Sequence, residues 1–155
     1  MSNIIKTLEI LKIDLPPAAK PVANYSPFVV TENKVYISGQ IPFKNETLLY
    51  QGKAGKDITL EESKSAAELC FINTLSVLNL ATKYNLNKVD SCIKITVFIN
   101  STNDFIDQSL VADGASNLIK KIFKHNGNHA RSAVSCNSLP KNASVEIDSI
   151  FSLIR

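Results

Sequence analysis

Ala130-Arg131-Ser132-Ala133-Val134-Ser135-Cys136-Asn137, then Leu139-Pro140-Lys141-Asn142, then Ser144-Val145-Glu146-Ile147-Asp148-Ser149-Ile150-Phe151-Ser152-Leu153, is the stretch on which the fold turns. Its two ends read as strands and its middle as a turn, because apolar and polar residues alternate on either side of a proline-containing break. If the two strands form a hairpin centred on Leu139–Asn142, Arg131 faces the region of Ile150. Glu146 would then lie about four residues away along the sheet, roughly 13 Å. A direct ion pair between them within one chain is disfavoured; they could meet across a subunit boundary or flank a ligand.

Upstream, His125-Asn126-Gly127-Asn128 is a turn, and Phe105 to Phe123 has helical composition interrupted by Asp113-Gly114. The preferred reading is a short helix followed by a longer one starting near Asp113. Ile93, Ile95, Val97 and Ile99 alternate with Cys92, Lys94, Thr96 and Phe98 in a β-branched strand. Thr59 followed by Glu62 has the spacing of a capping box, so a long helix follows with Ala67, Phe71, Leu75 and Leu78 on one stripe. Thr47–Tyr50 suggests one short strand in a loop. Phe28–Thr31 and Lys34–Ser38 read as strands around Glu32-Asn33, with Asn33 expected to take positive φ. Four prolines between Pro16 and Pro27 give an irregular lead-in. Ahead of it Ile4, Ile5, Leu8 and Leu11 recur at helical spacing behind Ser2, a candidate cap.

The order strand, strand, helix, strand, helix, strand, strand predicts helices covering one face of a sheet. The other face, with Cys92, Lys94, Thr96 and Phe98, is too mixed for a core and too apolar for open water. A closed homo-oligomer is the economical expectation.

A length of 155 residues, 45% of them apolar, fits one domain over 1–155, with 1–15 as a helical extension. A net charge of +3 argues against a strongly basic nucleic-acid binder. No apolar run reaches the roughly 18 residues a membrane helix needs, and the N-terminus lacks a basic segment followed by an apolar one, so a cytoplasmic location without membrane contact is expected. Cys70, Cys92 and Cys136 are odd in number and set among apolar neighbours, which reads as buried reduced thiols.

Of 17 basic residues only Arg131 and Arg155 are arginines. An arginine kept in so lysine-rich a chain has two readings. One is a structural ion pair with a carboxylate. The other is an anion receptor, whose planar guanidinium grips a carboxylate or phosphate with two parallel donors in a way lysine cannot. Glu146 is a carboxylate in the body of a β-branched strand, with Asp148 on the same face. Gly39, in Ser38-Gly39-Gln40, serves a turn or offers backbone groups to a ligand. His125, His129 and Cys136 make a poor zinc set, since the histidines straddle a turn and no second cysteine is near; no metal is expected. Neither Cys92 nor Cys136 has the signature of a nucleophile. Lys120, Lys121 and Lys124 are explained by the dipole at a helix C-terminus. Phosphate-binding glycine loops and the hydrolase nucleophile elbow are absent.

Ser38-Gly39-Gln40-Ile41-Pro42, Val97-Phe98-Ile99 with Asn103-Asp104-Phe105, and above all Arg131-Ser132 with Leu139-Pro140 and Val145-Glu146-Ile147, resemble the Rid/YjgF family, the reactive intermediate deaminases also called endoribonuclease L-PSP. The resemblance runs from about Tyr25 to the end, and the helix before Pro16 is similar to a longer branch of that family. It implies an α+β, chorismate-mutase-like fold: a mixed sheet with two main helices on one face, plus the short N-terminal helix. It also implies a homotrimer with a ligand cleft at each subunit interface, and hydrolysis of 2-imino acids or their enamine tautomers to 2-oxo acids and ammonia without metal or organic cofactor.

On this resemblance Arg131 binds the substrate carboxylate, Glu146 helps hold water, Gly39 gives a backbone contact and Tyr25 lines the cleft. Ala133 stands where the best-known deaminases carry a cysteine, which leaves a backbone contact there. The alternative reading is a non-catalytic trimer that binds a small carboxylate metabolite in the same cleft. A ribonuclease reading lacks an acid/base pair and a basic groove.

Overall fold

The computed structural model describes residues 3–18 and 24–154. Helix α1 (Ile4–Ile10) is capped by Asn3, whose side chain accepts from the Lys6 backbone N–H; the expected cap, Ser2, lies outside the described residues. Strands β1 (Phe28–Thr31) and β2 (Lys34–Gln40) form the first hairpin. In its turn Glu32, not Asn33, takes the positive φ, at 50°, while the Asn33 carbonyl accepts the Leu153 N–H. That bond to the last strand fixes the Asn33 peptide and moves the left-handed residue one place back. Strands β3 (Phe43–Lys44) and β4 (Thr47–Leu48) make a small separate hairpin, so the strand expected at Thr47–Tyr50 is shorter and has a partner.

The capping box forms as its spacing demands. Thr59 Oγ1 accepts the Glu62 N–H, Glu62 Oε2 accepts the Thr59 N–H, and helix α2 (Leu60–Ala81) follows. The Thr59 N–H and the Thr59 hydroxyl, both donating to Glu62 Oε2, hold the Glu62 carboxyl below the usual carboxylate value. After a 3₁₀ turn at Leu86–Lys88 come strand β5 (Val89–Asn100), helix α3 (Gln108–Phe123), strand β6 (Ala130–Cys136) and strand β7 (Val145–Leu153).

Helix α3 is continuous through Asp113-Gly114, so the split into two helices is corrected. Gly114 is there for closeness. A Cβ on it would lie 2.0 Å from the Lys64 carbonyl oxygen of α2, so only glycine lets the two helices pack at that crossing.

The main sheet has the order β1-β2-β7-β5-β6. The expected hairpin between the last two strands does not form. Strand β7 runs antiparallel between β2 and β5, and β6 lies parallel to β5 at the sheet edge, with α3 as the crossover. The link from β6 to β7 therefore passes the end of β5, where side chains pin it. Asn100 donates to the Ala143 carbonyl at 3.2 Å, and the Lys53 ammonium bonds Asn100 Oδ1 at 2.9 Å and the Asn137 carbonyl. A short proline-containing turn looks local in sequence, but these non-local partners send it across a strand.

Helices α2 and α3 cover one sheet face over a core that includes Phe71, Leu75, Ile95, Val97, Ile119, Ile147 and Phe151. The Phe71 and Phe123 rings pack on Phe151 at centroid distances of 6.2 and 6.1 Å. An irregularity between Cys92 and Lys94 turns Cys92 into this core, which corrects its placement on the opposite face. Burial pushes the Cys92 thiol up to about 12. Lys94, Thr96, Phe98, Ser132, Val134, Glu146, Asp148 and Ile150 line the uncovered face by strand alternation and register. No helix among the described residues is long and apolar enough to cross a membrane.

Candidate functional site

Two groups of the singled-out residues occupy opposite faces of the sheet. Arg131 pairs in register with Ile95, so its side chain leaves edge strand β6 on the helix-covered face. There Nη1 donates to Asp113 Oδ1 at 2.7 Å and to Ser116 Oγ at 3.1 Å, and Nη2 donates to the Ser109 carbonyl at 3.1 Å. Residues 109, 113 and 116 are four and three apart, one stripe of α3 turned to the strand. The counter-ion absent near Arg131 in sequence is thus supplied eighteen residues upstream by tertiary structure.

The clamp extends one residue further. His129 makes a 2.9 Å bond from Nδ1 to the Gly127 carbonyl and another from Nε2 to Ser116 Oγ. A carbonyl only accepts, so in the neutral ring Nδ1 carries the proton and Nε2 accepts from the Ser116 hydroxyl. The hydroxyl oxygen is then free to accept from Arg131. Asp113, Ser116 and His129 are the neighbours that sequence reasoning missed in this role. The readable signal was the polar i, i+4, i+7 spacing of Ser109, Asp113 and Ser116. His125 is exposed and does not join them.

Glu146 belongs to the second group. It pairs in register with Phe98 and lies on the uncovered face, half-buried. Gly39 sits where the pairing of β2 with β7 shifts, between Ile37 and Gln40. A Cβ on Gly39 would stand 1.9 Å from Glu146 Oε1, so the glycine makes room for the carboxylate. Burial, and secondarily the charge of Asp148, hold the Glu146 carboxyl above the ordinary value of 4.5.

Tyr25 is 50% exposed and directly precedes the segment Ser26–Pro27, which is tied to Ser38. The Ser38 hydroxyl donates to the Ser26 carbonyl at 2.8 Å, and the Ser38 N–H donates to the Pro27 carbonyl at 3.0 Å. Beside Gly39 the uncovered face carries a concavity of about 470 Å³ whose lining includes Tyr36, Lys94, Thr96, Asp148 and Ile150. Ala133 stays with Arg131, packed on the core side of β6.

The family model described as "YjgF/chorismate_mutase-like, putative endoribonuclease" matches residues 6–152. The chain belongs to the YjgF family. Among YjgF-family relatives, Protein TCP17 of Trypanosoma cruzi is 36% identical, covering 97% of this chain and 94% of its own. A 2-iminobutanoate/2-iminopropanoate deaminase of Dermatophagoides farinae is 32% identical, covering 89% of this chain and 92% of its own. The crystal structure of Atu1372 from Agrobacterium tumefaciens, described as a protein of unknown function, superposes with a TM-score of 0.91 at 40% identity, covering 97% and 92% of the two chains. The YjgF family thus accounts for the α+β, chorismate-mutase-like fold. The alignment with TCP17 covers 97% of this chain and so takes in most of helix α1, whereas that with the mite deaminase covers 89%.

Proposed function

We propose that the protein hydrolyses small 2-imino acids and their enamine tautomers to 2-oxo acids and ammonia, in a cleft shared by two subunits of a homotrimer. YjgF membership and the deaminase of Dermatophagoides farinae support this reading. The observation that carries it is the seating of Glu146 against Gly39, a half-buried carboxylate with its affinity for protons raised and space kept open for it by a glycine.

Such a carboxylate can hold a water, take a proton from it and return one to the departing nitrogen. Water adds to C2 of the protonated imine while Glu146 takes one of its protons and passes it to the nitrogen; the C–N bond then breaks to release ammonia, and the remaining hydroxyl proton goes to Glu146 as the C=O of the 2-oxo acid forms. The imine is already electrophilic, so positioning supplies most of what is needed.

Arg131 is the carboxylate anchor in this reading. Within one chain it lies on the other face of the sheet from Glu146, so the two meet only if the β6 edge of one subunit approaches the Gly39–Glu146 face of the next. In this reading Ala133 accompanies Arg131 along that edge and offers its backbone, and Tyr25 lines the cleft.

The same residues support a second reading, a trimer that binds a small carboxylate metabolite without catalysis. The observation favouring it is that Arg131 is already paired with Asp113. To separate the two, imino acids are generated in situ with an amino-acid oxidase and trapped with semicarbazide. A deaminase suppresses the trapped product; absence of suppression across several imino acids leaves the binder.

A further inference from the structure

Arg131 and Asp113 each keep polar capacity that the chain does not use. A guanidinium has five N–H donors. Three are committed, two from Nη1 and one from Nη2, which leaves the Nε–H and one Nη2–H. Asp113 spends Oδ1 on Arg131, and Oδ2 has no partner among the described residues. Neither side chain is closed off: 27% of that of Arg131 and 39% of that of Asp113 is exposed. Ser116, itself oriented by His129, and the Ser109 carbonyl hold the guanidinium against α3. An arriving carboxylate therefore joins the pair rather than pulling Arg131 away from Asp113.

We propose that the clamped Arg131–Asp113 pair is a receptor for zwitterions, which selects the protonated imine over the 2-oxo acid made from it. The proposal rests on Arg131 being the carboxylate anchor. The pair has no net charge, so a plain monoanion meets attraction from Arg131 and repulsion from Asp113 at similar range. A protonated 2-imino acid carries a cationic nitrogen one carbon from its carboxylate and satisfies both partners. Hydrolysis replaces that nitrogen by a neutral ketone oxygen, so the atom that changes is the one Asp113 senses. The product loses its hold as it forms. An amide in place of Asp113 would keep the bond to Arg131 and lose this discrimination.

2-Aminobutanoate and 2-oxobutanoate share a carbon skeleton and differ in that charge, so their dissociation constants, measured by calorimetry at neutral pH, report it directly. The wild type is expected to bind the amino acid about three- to tenfold more tightly, the range of a part-exposed charge-assisted contact. Asp113→Asn is expected to abolish or reverse the preference. Equal or tighter binding of the oxo acid by the wild type overturns the proposal, and this arm needs no variant. A preference that survives Asp113→Asn overturns it as well. Loss of binding of both ligands in Arg131→Lys is expected; unchanged binding there, or no saturable binding of either ligand to the wild type, removes the anchor and the proposal together. A preserved preference in a protein that fails to consume imines would count against the deaminase reading alone.

Discussion

Replacing Gly39 by alanine separates what its neighbourhood does for folding from what it does for function. The new Cβ would lie 1.9 Å from Glu146 Oε1 and 2.8 Å from Cδ. Ordinary contact is about 3.5 Å, so the carboxylate has to retreat by roughly 1.6 Å. Gly39 does not have positive φ, so the backbone accepts alanine without strain. The relief is therefore a swing of Glu146 to a poorer rotamer, which costs about 1 kcal/mol. A displacement of that size at a reacting centre costs on the order of 100-fold in rate. Urea denaturation should show a small shift in midpoint, while the rate of imine consumption in the trap assay should fall by about two orders of magnitude. A variant that loses stability and keeps its rate would refute the placing of Glu146 at the chemistry.

The same carboxyl gives a dependence on pH. Because the folded-state value of Glu146 is raised, the stability it contributes is full below its ordinary 4.5 and is lost as pH rises through the folded value. In urea melts the wild type should therefore lose ground to Glu146→Gln as pH rises above 4.5; parallel curves would contradict this. Gly114→Ala should destabilise by about 1–3 kcal/mol although alanine is the better helix former, because the Cβ would sit 2.0 Å from a backbone carbonyl that cannot move aside. A gain in stability would show that the helices are not so closely packed. Cys70 is pushed well up, first by burial and then by the nearby Glu146 charge, and Cys92 by burial, whereas Cys136 is part-exposed. Iodoacetamide on the native protein should label Cys136 before the other two, as mass mapping of the peptides would report.

Features set by residues close in sequence were legible: the Thr59–Glu62 cap, the alternation of β5 and the helical stripe of α2. The lysine-rich composition likewise drew attention to Arg131. What could not be read was set by partners far along the chain. The turn at Leu139–Asn142 has the chemistry of a hairpin, yet Lys53 and Asn100 lead the strand beyond it across β5. Arg131 had no local counter-ion because its partner is brought back by the α3 crossover. For the site, spacing drew attention to Gly39 and Glu146 separately. Only the pairing of β2 with β7 makes the glycine the space the carboxylate occupies. The opposite faces of Arg131 and Glu146 follow from the same strand order, and they make a second subunit a requirement of the proposed chemistry.

The most direct measurement is semicarbazide trapping of 2-iminopropanoate by wild type, Arg131→Lys and Arg131→Ala, with the mass of each protein in solution determined alongside. Trimers throughout are expected, with suppression of the trapped product by the wild type and failure of both variants, because lysine cannot supply the two-donor grip. Full suppression by either variant, or none by the wild type, would contradict it.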